Sequence, residues 1–225
     1  MNKVYVLGIG PGSRDYLLNK TEKIIEKMDV LIGGSRALET FAEEKAKKIK
    51  ITLPLSKIKN YILDNYQQQK IAVLVSGDPG LYSLLNYLKR EIEVDILEII
   101  PGISSLQLAA SRIQISWNDM RITSLHGKDN KEELLALLKK EVKVGFFTDN
   151  KFPPAKIAEY LLKNKVEDKT VCVFENLSYP DEKITVGRAA EIKKLSFSKL
   201  TVMIILDRGK INFKQRGDLD ERMGS

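Results

Sequence analysis

Apolar residues in this chain follow two alternating rhythms. Short continuous runs such as Ile71-Ala72-Val73-Leu74-Val75 have the length and β-branched content of a strand covered on both faces. Between such runs apolar residues return every three or four positions, as in Leu17, Leu18, Thr21, Ile24, Ile25 and Met28, the signature of a helix with one buried face. The pattern predicts strands at Val4 to Leu7, Asp29 to Ile32, Ile49 to Leu53, Ile71 to Val75 and Val94 to Ile100. Helices are predicted over Arg36 to Lys48, Ile58 to Gln68, Gly80 to Arg90 and Ser104 to Ile113, besides the one after Leu17. Strands that alternate with helices in this way predict a parallel α/β half.

Around Ile115 to Asp119 the texture turns polar near the only tryptophan, Trp117, and a domain junction is expected there. The second half reads as strands at Arg121 to Leu125, Val144 to Thr148, Val171 to Glu175, Lys183 to Thr185 and Thr201 to Leu206. Helices are expected at Lys131 to Lys140, at Pro154 to Lys163 (the pair Pro153-Pro154 suits a helix start) and at Ala189 to Lys194. The expected organisation is α/β throughout: an N-terminal domain over 1–115, a second α/β domain over 116–208, and a frayed tail over 209–225.

Composition narrows the chemistry. A chain of 225 residues, 43% hydrophobic, suits one large domain or two smaller ones with real cores. No apolar run is long enough for a membrane span and the N-terminus lacks a signal-peptide core, so a cytoplasmic protein is expected. A single cysteine, Cys172, fits a reducing compartment. With one histidine, His126, and one cysteine, Cys/His metal clusters are not expected, and no G-x-S-x-G elbow is present. Such poverty in acid/base and nucleophilic side chains points to a cofactor that arrives already reactive.

The net charge of +7 comes from 37 Lys and Arg against 30 Asp and Glu, and the signs are interspersed, as in Glu43-Glu44-Lys45-Ala46-Lys47-Lys48. A solvated surface explains most of this. No nucleic-acid motif accompanies the charge, whereas a small polycarboxylate substrate would suit it.

Four segments fall at predicted strand ends, where open α/β sheets bind ligands. Gly8-Ile9-Gly10-Pro11-Gly12 follows the first strand with G-x-G-x-G spacing, one residue short of a dinucleotide fingerprint. Taken alone it also reads as a tight turn. Ser76-Gly77-Asp78-Pro79-Gly80 offers a carboxylate, or a helix cap. Pro101-Gly102-Ile103-Ser104-Ser105 offers two hydroxyls at a helix start, of which one suffices as a cap. Ser124-Leu125-His126-Gly127-Lys128 carries the only histidine, catalytic or structural.

The order of these motifs resembles the tetrapyrrole methylase family. Val30-Leu31-Ile32-Gly33-Gly34-Ser35-Arg36, Ser124 to Lys128 and Glu175-Asn176-Leu177-Ser178-Tyr179-Pro180-Asp181-Glu182 are similar to its precorrin C5-methylating branch, and the resemblance covers roughly residues 3 to 207. The resemblance implies two α/β domains with a cofactor cleft between them, S-adenosylmethionine as methyl donor (leaving S-adenosylhomocysteine), and methylation of carbon 5 of a precorrin-7 with or without cobalt. It implies a homodimer, a polycarboxylate tetrapyrrole substrate, no nucleic acid, no membrane and no metal site. A separate protein would methylate carbon 15 with decarboxylation.

By position Pro11, Asp78, Leu81, Ser104, Ser105, Thr148 and Leu177 would line the cofactor site. Gly12, Arg36 and Lys128 would meet the substrate, while Gly10, Pro11 and His126 would border the reacting centre. Asn19, Ser83 and Ser178 depart from the family pattern, the last two standing where glycine is frequent. Methylation at another precorrin position, a nicotinamide-dependent reductase and a non-catalytic tetrapyrrole- or nucleotide-binding module remain the alternatives.

Overall fold

The computed structural model describes residues 2–125, 131–166 and 168–207. The chain separates into two compact units: unit 1 is Met1–Leu108 with Leu177–Pro180, and unit 2 is Ala109–Asn176 with Asp181–Ser225. The expected tail at 209–225 lies outside the described residues.

Unit 1 holds β1 (Val4–Gly8), β2 (Val30–Gly33), β3 (Lys47–Lys50), β4 (Ile71–Val75) and β5 (Leu97–Ile100). They lie in the order β3-β2-β4-β1-β5 with every pairing parallel. The helices are α1 (Asn19–Ile25), α2 (Ser35–Thr40), α3 (Ser56–Asn65) and α4 (Leu85–Glu91). From β1 to β3 the chain steps one way across the sheet, and from β3 to β5 it steps back. Right-handed crossovers therefore put the two helix pairs on opposite faces. Ile25, Met28, Ala37 and Phe41 of the first pair's segment pack with Leu7, Leu31 and Leu74. Ile58, Ile62, Leu85 and Leu88 pack with Val6, Ile32 and Val73 on the other face. Alternate strand residues thus feed two cores, which is why these strands read as unbroken apolar runs.

Three sequence expectations shift here. The helix expected over Arg36 to Lys48 stops at Thr40, and Lys47–Lys50 pairs instead with the open side of β2. Glu43 to Lys48 has no apolar stripe to hold a helix on the sheet, and lysines suit an edge strand that must not recruit another chain. The helix expected from Gly80 begins at Leu85, because Tyr82 sits at φ 48°, outside helical backbone. Val94–Ile96 forms a single 3-10 turn ahead of the short β5.

Helix α5 (Ser105–Arg112) runs across the division between Leu108 and Ala109, ahead of the polar stretch around Ile115. Unit 2 then contributes β6 (Arg121–Ser124), α6 (Lys131–Lys140), β7 (Lys143–Phe147), α7 (Pro154–Lys163), β8 (Lys169–Glu175), β9 (Lys183–Gly187), α8 (Ala189–Ile192) and β10 (Thr201–Asp207). The sheet order is β6-β7-β10-β8-β9, parallel only between β6 and β7. The short connection from β8 to β9 cannot make a parallel crossover, so the pair is antiparallel. Leu134, Leu138, Ile157, Leu161 and Ile192 cover Val144, Phe146, Val171, Val173, Met203 and Ile205.

Candidate active site

Because β4, β1 and β5 are parallel neighbours, their glycine turns leave one edge of unit 1 side by side. The Ile9 N–H donates to the Val75 carbonyl at 3.0 Å, and the Gly77 N–H donates to the Gly10 carbonyl at 2.7 Å. The first two turns are thereby tied together beyond the ends of their strands. Gly10 and Gly77 have φ of 77° and 70°, left-handed backbone that a side chain would strain. The third turn packs against both. A Cβ on Gly8 would lie 2.5 Å from the Gly102 nitrogen and 2.7 Å from the Gly77 oxygen, and one on Gly102 would run into that same oxygen. Gly8 therefore serves backbone-to-backbone packing of three turns, while Gly10 supplies the left-handed backbone.

One side chain staples them. Asp78 accepts from the Gly80 N–H at 2.7 Å through Oδ1 and from the Gly102 N–H at 3.0 Å through Oδ2. Its carboxylate links the β4 turn to the β5 turn as well as shaping its own loop. Leu81 follows on that loop, its N–H donating to the Asp78 carbonyl at 3.1 Å. Ser104 is buried and heads α5 in a reciprocal cap: its Oγ accepts from the Leu106 N–H at 3.3 Å, while its own N–H donates to Gln107 Oε1 at 2.8 Å. Ser105 stands half-buried in the first turn of that helix.

The first glycine loop is completed by a segment from far along the chain, Leu177–Pro180, which belongs to unit 1. The Ser13 N–H donates to Ser178 Oγ at 2.9 Å. The ring of Tyr179 fills the space a Cβ would take on Gly12, with its hydroxyl oxygen 2.7 Å from that position. Leu177 is 4% exposed and lies between Asn176 at φ 48° and Ser178 at φ 73°. Ser178 thus stands where the family often has glycine because the backbone there is left-handed.

In unit 2 the ends of β7, β8 and β10 build a polar edge from side chains. Thr148 Oγ1 donates to the Thr201 carbonyl at 2.8 Å and lies 2.5 Å from Thr201 Oγ1. Glu175, 6% exposed, accepts from the Ser198 N–H at 2.7 Å through Oε1, while its buried Oε2 has no hydrogen-bond partner among the described residues. Ser198 Oγ donates to Asn176 Oδ1 at 3.2 Å, and Asn176 Nδ2 donates to Asp181 Oδ2 at 2.6 Å. This relay fixes the positions on either side of Leu177–Pro180.

Among the expected site residues, Gly10, Pro11, Gly12, Asp78, Leu81, Ser104 and Ser105 share the glycine-turn edge of unit 1, and Leu177 belongs to that unit too. Arg36, exposed in the first turn of α2, follows β2 at the same sheet edge and has no ion-pair partner among the described residues. Thr148 lies in unit 2 with its hydroxyl engaged by Thr201. His126 and Lys128 lie outside the described residues. Glu175 and Tyr179 stood in a motif of the resemblance, but sequence reasoning gave neither a role in the site. The frequent glycine at position 178 of the family pattern was the one local signal that something beside Tyr179 needed unusual backbone.

Among the described residues no group of three His, Cys, Asp or Glu side chains converges as a metal site, and no helix is long and apolar enough to cross a membrane. A cavity of about 420 Å³ lined by Tyr5, Lys20, Lys23 and Lys27 opens beside α1, and none of its lining residues belongs to the glycine turns.

A parallel sheet with three fused glycine turns and a second, mostly antiparallel sheet together define the tetrapyrrole methylase fold. Uroporphyrin-III C-methyl transferase from Thermus thermophilus, solved with S-adenyl homocysteine, shares it at a TM-score of 0.72 and 18% identity, over 90% of this chain and 96% of that one. The chain belongs to the Tetrapyrrole (Corrin/Porphyrin) Methylases, whose family pattern matches residues 3–193. It is 42% identical over 206 residues to the "Probable cobalt-precorrin-7 C(5)-methyltransferase" of Methanocaldococcus jannaschii, covering 89% of this chain and 96% of the relative. It is 30% identical over 179 residues to the cobalt-precorrin-7 C(5)-methyltransferase of Salmonella typhimurium, covering 80% and 87%.

Proposed function

We propose that this chain transfers a methyl group from S-adenosylmethionine to carbon 5 of cobalt-precorrin-7, a step of corrin-ring assembly in cobalamin biosynthesis. The observation that carries this reading is the 42% identity to the Methanocaldococcus jannaschii protein, which runs through nearly the whole of both chains. The S-adenyl homocysteine bound to the Thermus thermophilus enzyme supports the choice of methyl donor.

The residues fit such a cofactor in kind. An amino-acid tail and a nucleoside need peptide groups that side chains do not shield, and the turn at Gly77 offers left-handed backbone with uncrowded space where a Cβ would stand. The start of α5, beside Ser105, adds N–H groups suited to a carboxylate. When bound, the cofactor supplies a sulfonium methyl already activated for transfer, and an electron-rich ring carbon attacks it. The chain's own part is to align the two and to exclude water. In this reading Pro11, Asp78, Leu81, Ser104, Ser105, Thr148 and Leu177 border the cofactor. Asp78, Ser104 and Thr148 act by shaping the loops, because their side-chain oxygens already serve internal hydrogen bonds. Gly12, Arg36 and Lys128 meet the substrate, the two cations receiving its peripheral carboxylates, and Gly10, Pro11 and His126 border the reacting ring carbon.

The test is to incubate the protein with labelled S-adenosylmethionine and, separately, cobalt-precorrin-7, metal-free precorrin-7 and cobalt-precorrin-4. Mass spectrometry reads methyl gain, and carbon NMR locates it. A methyl on carbon 5 of cobalt-precorrin-7 is the expected product. Transfer only to the precorrin-4 ring would move the activity within the family. Stabilisation by nicotinamides in place of S-adenosylhomocysteine would overturn it.

A further inference from the structure

Tyr179 is an aromatic residue from far along the chain that packs onto the first glycine loop. Its ring occupies the space over Gly12, so close that any Cβ there would overlap it. Two neighbours fix its backbone: Ser178, tied to the Ser13 N–H, and Pro180, whose ring restricts its own φ. The relay from Glu175 through Ser198 and Asn176 to Asp181 holds the chain on both sides. The chain on either side of Tyr179 is thus held in place, and packing on Gly12 needs only the ring. The hydroxyl has no hydrogen-bond partner among the described residues, and the residue is half-buried rather than solvent-bathed. A phenol with a spare donor, beside the loop, is a ready contact for an anion.

Resting on the proposed tetrapyrrole reaction, we infer that Tyr179 orients the substrate by donating its phenolic hydrogen bond to a peripheral carboxylate of the ring, with Gly12 kept bare to seat the tyrosine. In this arrangement the ring's edge is held against the glycine loop, and the acceptor carbon is held relative to it. The cofactor's own contacts do not pass through the hydroxyl.

Tyr179→Phe keeps the aromatic ring on Gly12 and removes only the donor. A hydrogen bond to a charged acceptor corresponds to about a tenfold or larger change in binding. Cobalt-precorrin-7 binding, followed by its absorbance in a direct titration, is expected to weaken about tenfold, with a matching rise in KM. S-adenosylhomocysteine affinity and the thermal midpoint are expected to stay at wild-type values. Unchanged tetrapyrrole affinity in a folded Tyr179→Phe protein would overturn the inference, as would an equal loss of cofactor affinity. Gly12→Ala supplies the second variant: by displacing the ring it is expected to weaken the same ligand, and wild-type binding by a folded Gly12→Ala protein would count against the assignment. Because the titration does not depend on turnover, the hydroxyl's role can hold even if wild-type protein binds the ring without methylating it. If wild-type protein binds no tetrapyrrole, the inference falls together with the reading it rests on.

Discussion

The two sheets build their loop-bearing edges from different materials. In unit 1 the parallel strands β4, β1 and β5 send all their C-terminal turns to one edge, and those turns meet through bare backbone at Gly8, Gly77 and Gly102. In unit 2 β10 runs against its neighbours β7 and β8, and the edge is filled by Thr148, Thr201, Glu175 and Ser198 hydrogen-bonded side chain to side chain and side chain to backbone. A parallel sheet gathers loop after loop at one place, so space there is short and glycine is needed. A mixed sheet brings strand starts and strand ends together and leaves room for polar side chains. The lesson is that one edge is sensitive to added atoms and the other to removed ones.

The largest effect should come from Gly102→Ala. Its Cβ would press on the Gly77 oxygen and the Gly8 backbone, neither of which can move without breaking the turns, and a loss of about 3 kcal/mol or more is expected in urea unfolding. Gly34→Ala is the control, since nothing lies within 4 Å of the new atom and φ is −67°, and it should change stability by no more than about 0.5 kcal/mol. Equal effects at the two positions would break the contrast between a packed glycine edge and an ordinary turn.

Asp78→Ala comes next. The carboxylate staples the β4 turn to the β5 turn, and its removal leaves the half-buried Gly102 N–H without its acceptor. A loss of about 2 kcal/mol is expected, since hydrogen bonds to charged groups contribute more than neutral ones. On sequence alone Asp78 suggested a residue whose loss would weaken cofactor binding more than folding. With both oxygens on backbone, stability and S-adenosylhomocysteine affinity should fall together, and a variant of wild-type stability would remove the staple from the account.

How much of this was legible beforehand follows from where each cause lies. Helices α6 and α7 keep their sequence-read limits, because strong periodicity, and in α7 Pro154 at the first turn, are local properties. The helix expected to reach Lys48 was not legible as a strand, because Lys47–Lys50 becomes one only by pairing with β2. Among candidate site residues, the three glycine turns could be read from strand-to-helix position. That Ser104 caps α5 through Gln107 was open in the sequence, where a cap and a ligand contact read alike. Tyr179 stood in a motif of the resemblance, but its contact with Gly12 was not readable, since the two lie far apart along the chain.

Thr148→Val tests the side-chain edge from the other direction. It preserves shape, so it adds nothing to clash, but it takes away the hydroxyl that bonds the Thr201 carbonyl and lies against Thr201 Oγ1. The expected loss is about 1 kcal/mol, smaller than at Gly102 because no backbone has to move. Thr148→Val with Thr201→Val should cost less than the sum of the two single changes, since removing both hydroxyls leaves fewer unpaired groups than removing one. Strict additivity in a double-mutant cycle would mean that the pair is only adjacent.

The smallest effect belongs to a charge that serves neither edge. Glu159 on α7 pairs with Lys163 one turn later at 2.9 Å, and the hydrogen bond from that lysine, followed by its charge, holds the carboxyl below its ordinary value of 4.5. A carboxylate whose folded pKa is depressed contributes its stability above the unfolded pKa and loses it as pH falls through the folded value. The difference in melting temperature between wild type and Glu159→Gln should therefore be present near neutral pH, shrink in salt, begin to fall as the pH drops below 4.5 and vanish only below the lower folded value. Both partners are well exposed, so solvent screens the pair and its effect should stay below that of Thr148→Val at every pH. A loss as large as Thr148→Val would show that unit 2 depends on charged pairs in general, and the polar edge would then no longer be the distinctive part of that sheet.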